Sequence, residues 1–171
     1  VIFIFVLLTM MVPFQVMMIP LFLESNALGL LDTYAGLILP KATSAFGIFM
    51  MRSYFAALPK DLEEAARVDG MNEAGIFVKI MLPLIKPGVL TLTIFYLMQN
   101  WNDLLYPLMM TSSTKMRTLS AGLALFVGEH ATTYYGPQLA GALLSVLPLL
   151  VVYIFFQKYF IASAATSGMK D

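Results

Sequence analysis

The stretch Glu63–Pro87, EEAARVDGMNEAGIFVKIMLPLIKP, is a charged island in an otherwise apolar sequence. Pro59, just before it, can occupy the first turn of a helix, where a missing N–H costs nothing, and acidic side chains follow at the positive end of that helix. Gly70 can take the left-handed conformation that closes a helix. The spacing therefore predicts a short helix that ends at Gly70.

A second short helix is predicted directly after this glycine. Asn72 suits an N-cap, and apolar side chains recur on one face until Pro83 and Pro87 break the helix before the next apolar stretch. The result is a helix–turn–helix that projects from the apolar part of the chain. The apolar side chains of the second helix are Ile76, Phe77 and Ile80.

Two alanines in the first helix suggest a contact surface. Ala65 and Ala66 lie where bulkier residues would be ordinary for a surface helix. The pair is expected to leave a narrow ridge that could enter a groove on a partner. The residues alone leave an alternative open, in which the island is an amphipathic loop that rests on lipid headgroups.

Composition indicates that the rest of the chain lies in a membrane. The 171 residues are 60% hydrophobic and only 12% charged, which is more apolar than a soluble domain of this length needs for its core. The formal net charge is zero, so no basic field is available to recruit nucleic acid. Cysteine is absent, which excludes disulfides and thiolate metal sites.

Four apolar stretches are long enough to cross a bilayer, which needs roughly 20 helical residues. Prolines in or beside them predict kinked helices, whose freed carbonyls neighbouring helices can satisfy. Lys41 and Arg52, near the two ends of the second stretch, are expected to snorkel to the headgroups. The predicted fold class is an all-α polytopic membrane protein. The stretches are Val1–Leu23, Tyr34–Ala57, Gly88–Met110 and Ala131–Gln157, the last expected to begin near Pro137.

The positions of lysine and arginine predict the orientation of these spans. Seven basic residues lie near the end of the second stretch, between the second and third stretches or after the fourth, against three towards the opposite side. The positive-inside rule then places residues 58–83, named here the charged loop, in the cytoplasm together with a C-terminal tail at 158–171. The Glu24–Thr33 turn and the connection at residues 111–136 are expected outside.

A set of fixed spacings within the charged loop carries a resemblance. Glu64-Ala65-Ala66 is followed after three residues by Gly70 and after nine more by Ile80-x-Leu82-Pro83. This pattern resembles the signature loop of the membrane subunits of binding-protein-dependent ABC importers. The chain is similar in particular to the carbohydrate-type permeases, such as the partner permease of maltose-like systems, through LGLLDTYAGLILP, SAFGIFMMRSYF, NWNDLLYPL and the ending FFQKYFIASAATSGMKD.

The resemblance implies a role and a set of partners. Residues 1–171 would be one transmembrane permease domain in the inner membrane of a bacterial or archaeal cell, importing a sugar or oligosaccharide. The implied partners are a second permease subunit, two copies of a cytoplasmic ATPase, an extracytoplasmic solute-binding protein and membrane lipid. No cofactor is expected in this chain. The residues implied to couple it to the ATPase are Glu64, Ala65, Ala66, Asp69, Gly70, Ile80, Leu82 and Pro83.

The chain is expected to be a fragment. Residue 1 is Val, and neither a Met nor a basic segment precedes the first apolar stretch. Members of the family have about six spans, so the four found here would be the last four.

A polar segment, residues 99–103, near the end of the third stretch, is the candidate translocation path. A carboxylate near the end of a span must be paired, hydrated or functional. Polar groups beside an indole ring suit a sugar, which offers hydroxyls to hydrogen-bond and a C–H face to stack. An interfacial Trp among helix-end polar residues is the alternative. The segment consists of Gln99, Asn100, Trp101, Asn102 and Asp103.

Residues for catalysis or metal binding are not predicted. Gly70–Gly75 has the glycine spacing of a phosphate loop, but Ile76 and Phe77 stand where Lys and Ser/Thr are needed. A two-histidine zinc motif is excluded because His130 is the only histidine.

Two other functions stay open. A membrane-embedded enzyme with Asp103 or Glu129 as acid or base is the rival class, although it has no partner carboxylate, nucleophile motif or metal cluster. Within transporters, the alternative is a permease for a solute other than a sugar, since the coupling signature is shared across importers.

The orientation can be tested by labelling in the assembled transporter. Because the sequence contains no cysteine, single cysteines report cleanly on which side they lie. Asn72→Cys should react with a membrane-impermeant thiol reagent only in inside-out vesicles, and Ser113→Cys only in intact spheroplasts. The reverse pattern would overturn the charge-based orientation.

Overall fold

The computed structural model describes residues 2–126 and 135–167, with side chains to Gln157. Every regular element in this part of the chain is helical, so the all-α fold class predicted from the sequence is confirmed. A 3₁₀ turn, Leu39–Lys41, and a π-helical turn, Phe77–Met81, connect some of the helices. The helices are α1 Ile2–Thr9, α2 Phe14–Ala27, α3 Tyr34–Ile38, α4 Ala45–Ala56, α5 Lys60–Val68, α6 Glu73–Ile76, α7 Leu82–Leu84, α8 Lys86–Trp101, α9 Leu105–Met110, α10 Leu119–Ala124 and α11 Tyr135–Ser167.

Within the described residues, α11 alone is a single helix long and apolar enough to cross a membrane, over Tyr135–Gln157. Three bent pairs of helices meet the same criteria if each pair counts as one span, which would bring the number to four. The bends are 96° between Ile2–Thr9 and Phe14–Ala27, 49° between Tyr34–Lys41 and Ala45–Ala56, and 71° between Glu73–Leu84 and Lys86–Trp101.

Prolines mark the positions of the three bends. Pro13 caps α2 with an extended backbone, Pro40 lies in the 3₁₀ turn, and Pro87 lies in the first turn of α8. A proline has no N–H to donate, and its ring clashes with the preceding turn. Pro20 and Pro148, by contrast, lie inside α2 and α11.

The third predicted stretch is not one continuous helix. The sequence predicts a span over Gly88–Met110, but α8 stops at Trp101 and α9 starts at Leu105. The break falls at polar residues, where a carboxylate oxygen of Asp103 accepts a hydrogen bond from the N–H of Tyr106 at 3.3 Å and so helps to start the next helix.

The last helix extends beyond the fourth apolar stretch, and the cytoplasmic location of the tail stays a prediction. The helix α11 continues through residues 158–167 as far as Ser167, whereas the sequence predicts that the fourth span ends at Gln157. The first residues of the fourth apolar stretch, 131–134, and the last residues of the tail, 168–171, lie outside the described residues.

Asp32 ties the turn after α2 to the start of the connection after α9. Its backbone has a left-handed φ of 57°, and its N–H donates to the carbonyl of Met110 at 2.8 Å. One carboxylate oxygen accepts from the N–H groups of Ser112 and Ser113, both at 3.0 Å. The pKa of the Asp32 carboxyl is lowered mainly by its hydrogen bonds from Ser113. The hydrogen bond from Ser112 and the positive charge of Arg117 lower it further. These bonds hold the two segments in contact, and their placement on one side of the membrane stays a prediction.

Tyr106 and Gly36 bring α9 against α3. Tyr106 is almost completely buried, and its hydroxyl donates to the carbonyl of Gly36. A Cβ added at Gly36 would lie 2.0 Å from the carbonyl oxygen of Leu30 and 3.2 Å from the Met110 Cε. Only a residue without a side chain fits this approach of two backbone segments.

A matched pair of glycine substitutions tests this packing. Gly36→Ala forces the Leu30 backbone to move, so we expect a loss of about 1–3 kcal/mol in stability, as for other overpacked sites. Gly122→Ala is the control, because a Cβ there would have nothing within 4 Å. The measurement is the melting temperature of the full-length protein in detergent. Equal melting temperatures for the two variants would contradict the close approach at Gly36.

Candidate functional site

The charged loop begins with α5. Pro59 lies immediately before this helix, with an extended backbone at ψ 127°. Asp61 and Glu63 lie in the first turn, where the positive end of the helix dipole favours carboxylates. The first predicted helix of the loop is confirmed, with its proline one residue outside the helix.

A left-handed turn at Gly70 closes α5. The φ of Gly70 is +78°, in the region that favours glycine. Its N–H donates to the carbonyl of Arg67, and the N–H of Met71 donates to the carbonyl of Ala66, each at 3.0 Å. This pair of bonds is a Schellman motif, which satisfies carbonyls that the helix end would leave without partners. The predicted role of Gly70 as a helix terminator is confirmed.

The second half of the loop begins as predicted and ends later. The Asn72 side chain accepts from the N–H of Gly75 at 2.8 Å, which confirms the predicted N-cap. The prediction that Pro83 breaks the helix is wrong, because Pro83 lies in the first turn of α7, where a missing N–H is tolerated. A π-helical turn precedes it, in which the N–H of Leu82 donates to the carbonyl of Phe77. Sequence periodicity at 3.6 residues gave no signal for this wider turn.

Ala66 lies inside the loop. It is 4% exposed and packs with Ile76 and Met81. The prediction that Ala65 and Ala66 form one exposed ridge is therefore wrong, since successive residues of a helix point about 100° apart at 3.6 residues per turn. The small side chain of Ala66 instead lets the two helices approach closely. Partly buried side chains around this cluster belong to Phe55, Leu58, Met71 and Ile80.

The outer face of α5 carries exposed apolar side chains. Leu62, Ala65 and Val68 recur at intervals of three residues, and all three are exposed, Val68 to 87%. Glu64 and Asp69, both exposed, lie beside them. An apolar strip with acidic neighbours on a projecting helix is a surface suited to a protein partner. Leu62 and Val68 were missed by the sequence prediction, although their spacing was visible in it.

An exposed ion-pair network crosses the Gly70 turn. Arg67 donates through Nε to Glu73 at 2.7 Å and through a terminal nitrogen to both Glu73 at 3.2 Å and Glu63 at 3.3 Å. The hydrogen bond to Glu73, followed by its charge, raises the pKa of Arg67. Because these groups are exposed, the network adds little to stability, but its two-point geometry orients α6 against α5.

The side chains of the polar segment, residues 99–103, have different surroundings. Gln99 is exposed at the end of α8. Asn100 and Asn102 each donate a side-chain hydrogen bond to their own helix, to the carbonyls of Tyr96 at 2.8 Å and Met98 at 2.9 Å.

Trp101 connects three helices. Its indole N–H donates to the carbonyl of Ser145 in α11 at 3.0 Å, and its own carbonyl accepts from the hydroxyl of Ser120 in α10 at 2.8 Å. The indole N–H is therefore used in packing α8 against α11.

Asp103 is paired with Lys41. The ammonium of Lys41 lies 2.6 Å from a carboxylate oxygen of Asp103 and 5.1 Å from the centre of the Tyr106 ring. The prediction that Lys41 snorkels is corrected by this contact. Arg52 is exposed, and its guanidinium lies 4.0 Å from the centre of the Phe3 ring. Lys41 and Asp103 are 62 positions apart in the sequence. Their opposite charges in neighbouring apolar stretches were the one signal from which the pair could have been predicted.

The Lys41–Asp103 pair lies beside a cleft between α4 and α8. This cleft has a volume of about 850 Å³, within the range of ligand pockets. A smaller cavity of about 310 Å³, lined by Asp103 and Tyr106, shares Lys41, Ala42 and Asn100 with it. Two members of the predicted path, Asn100 and Asp103, thus line these cavities. Glu129 and His130 lie outside the described residues.

Comparison with known proteins identifies the family. Residues 1–164 match the model of the binding-protein-dependent transport system inner membrane component. The chain belongs to this family, which places it in a membrane, and the predicted resemblance is confirmed.

Individual relatives are sugar transport proteins. The chain is 41% identical over 170 residues to the arabinooligosaccharides transport system permease protein AraQ of Bacillus subtilis (strain 168), covering 99% of this chain and 60% of that protein. It is 38% identical over 159 residues to the lactose transport system permease protein LacG of Rhizobium radiobacter, covering 91% of this chain and 57% of that protein. The chain therefore spans about 60% of the length of these relatives.

A solved structure shares the fold. It is the crystal structure of a bacterial ABC transporter involved in the import of the acidic polysaccharide alginate. The TM-score is 0.73 with 32% sequence identity, and the match covers 83% of this chain and 55% of that chain.

Adjacent alanines provide a test of the loop packing. Ala66→Leu should overpack the contact with Ile76 and Met81 and destabilise the charged loop by about 1–3 kcal/mol. Ala65→Leu adds the same volume to an exposed position and should leave the loop folded. Limited proteolysis of the loop in the assembled transporter measures the difference. Equal cleavage rates in both variants would show that Ala66 is not in the interior.

Proposed function

We propose that this chain forms the membrane-spanning part of a permease subunit in an ATP-driven importer of sugars or oligosaccharides. The observation that carries the proposal is the charged loop, in which the family's signature spacing coincides with a folded helix–turn–helix and an exposed apolar strip. The names of the relatives in Bacillus subtilis and Rhizobium radiobacter support the solute class. The subunit crosses a bacterial inner membrane several times, with the bent helix pairs as spans.

The charged loop is the element that couples transport to a cytoplasmic ATPase. Its outer face, with Leu62, Ala65 and Val68 flanked by Glu64 and Asp69, docks on the ATPase. The other residues assigned to coupling act from within the loop. Gly70 sets the angle between the helices, Ala66 and Ile80 pack inside the loop, and Leu82 and Pro83 connect it to the next span.

The polar segment contributes to the translocation path through Asn100 and Asp103, which line the cavities. The assembly contains a second permease subunit, two ATPase copies and an extracytoplasmic solute-binding protein. Motion of the ATPase then biases two states of the path through the charged loop.

A permease for another solute is the second candidate. One relative, 34% identical over 157 residues, is the sn-glycerol-3-phosphate transport system permease protein UgpE of Brucella abortus (strain 2308). The enzyme alternative has less support, because its candidate acid Asp103 is held in an ion pair.

The test of the coupling role uses two substitutions at Gly70. Gly70→Val places a β-branched residue at a left-handed φ, at a cost of roughly 1–2 kcal/mol, although no atom lies within 4 Å to obstruct its Cβ. Gly70→Asn is the matched control, since Asn tolerates this conformation. We expect the Val variant to insert in the membrane but to lose ATPase co-purification and solute uptake, while the Asn variant keeps both.

Retention of ATPase binding and uptake by Gly70→Val, at normal membrane levels, would show that the charged loop is not the coupling element.

A further inference from the structure

Lys41, Ala42 and Asn100 form the wall that the two cavities share. The ion pair there is only partly covered, with side-chain exposures of 29% for Lys41 and 20% for Asp103. Ionisable groups among apolar helices face the protein interior or a water-filled cavity, because exposure to lipid is costly. The shared wall is therefore a polar surface open to the cleft.

The polar side chains of this wall have donors and an acceptor that the described contacts do not use. An ammonium has three N–H donors, and in the described contacts Lys41 uses one of them on Asp103. Asn100 donates a side-chain N–H to the carbonyl of Tyr96 in its own helix, which leaves its side-chain carbonyl oxygen as an acceptor. Donors and an acceptor at one place are what a ring bearing several hydroxyl groups requires.

The apolar lining of the cleft suits the C–H groups of such a ring. Ile48 and Met51 of α4 and Leu92 of α8 line the cleft below the polar wall. Apolar side chains of this kind pack against C–H groups without competing for hydrogen bonds. A cleft with a few polar groups on an apolar lining fits the general pattern of small-molecule sites.

The charge of the smaller cavity is balanced, because Lys41 and Asp103 both line it. Lys41 and Asp103 together carry no net charge, so a charged solute gains no net attraction from them and loses hydration on entry. Arg52 lines the larger cleft but is not among the residues that line the smaller cavity with Lys41, Asn100 and Asp103, and its guanidinium stacks on Phe3.

We infer that Lys41, Asn100 and Asp103 form a solute subsite for an uncharged sugar unit, and that the ion pair selects against anionic sugars. The inference rests on the proposed function and adds the charge class of the solute. The related transporter of known structure is involved in the import of an acidic polysaccharide, so the shared fold alone does not exclude anionic sugars.

The test compares equilibrium binding of lactose and digalacturonate to the assembled transporter in detergent, without the solute-binding protein. Asp103→Asn keeps an acceptor for the N–H of Tyr106 but leaves Lys41 unpaired, so the affinity ratio should shift toward digalacturonate by roughly tenfold, the effect of one unpaired charge near the ligand. Lys41→Met should shift the ratio the opposite way. The double variant is neutral again and should return close to the wild-type ratio.

Lys115→Met is the control, because it removes an exposed charge from the connection after α9 and should leave the ratio unchanged. A wild-type preference for digalacturonate, or an unchanged ratio in Asp103→Asn and in Lys41→Met, would overturn the subsite. If one variant fails to assemble, the other still tests the sign of the effect. A wild-type complex that neither binds a saccharide nor imports one would contradict the proposed function itself.

Discussion

The left-handed turn at Gly70 is the constraint on which the charged loop depends. Its two Schellman hydrogen bonds end α5 and turn the chain back, which brings Ala66 against Ile76. With Ala66 turned inward, Leu62, Ala65 and Val68 are left on the outside. One backbone conformation, available to glycine at little cost, thus decides which residues of the signature pack within the loop and which are offered to a partner.

In the apolar part of the chain, unlike in the charged loop, charged side chains contact groups that lie far away in the sequence. There Lys41 meets Asp103 across 62 residues, and Arg52 stacks over an aromatic ring. Removing one member of the Lys41–Asp103 pair would leave the other charge uncompensated, which is costly among apolar helices. The same pair joins the break after α8 to the bend before α4, so the cleft between these helices has its polar wall where both backbones are irregular.

Local signals predicted the loop well and the long-range contacts poorly. The end of α5 at Gly70 and the Asn72 cap follow from residues within a few positions of each other, and both are present in the structure. The π-helical turn before Leu82 and the break after Trp101 depart from the regular α-helix that a 3.6-residue apolar pattern predicts, so periodicity does not report them. The contact between Lys41 and Asp103 could not be derived either, because hydropathy marks which residues are apolar but not which spans are neighbours.

The most direct test of the account is photo-crosslinking from the outer face of α5 in the assembled transporter. A benzophenone side chain placed at Val68, which is 87% exposed, would react with whatever covers that face. The account predicts a covalent product with the ATPase subunit, and little product from the same probe at Ile76, which lies in the interior of the loop. Crosslinks from position 68 to lipid alone, with none to the ATPase, would contradict it and favour a loop that rests on the membrane surface.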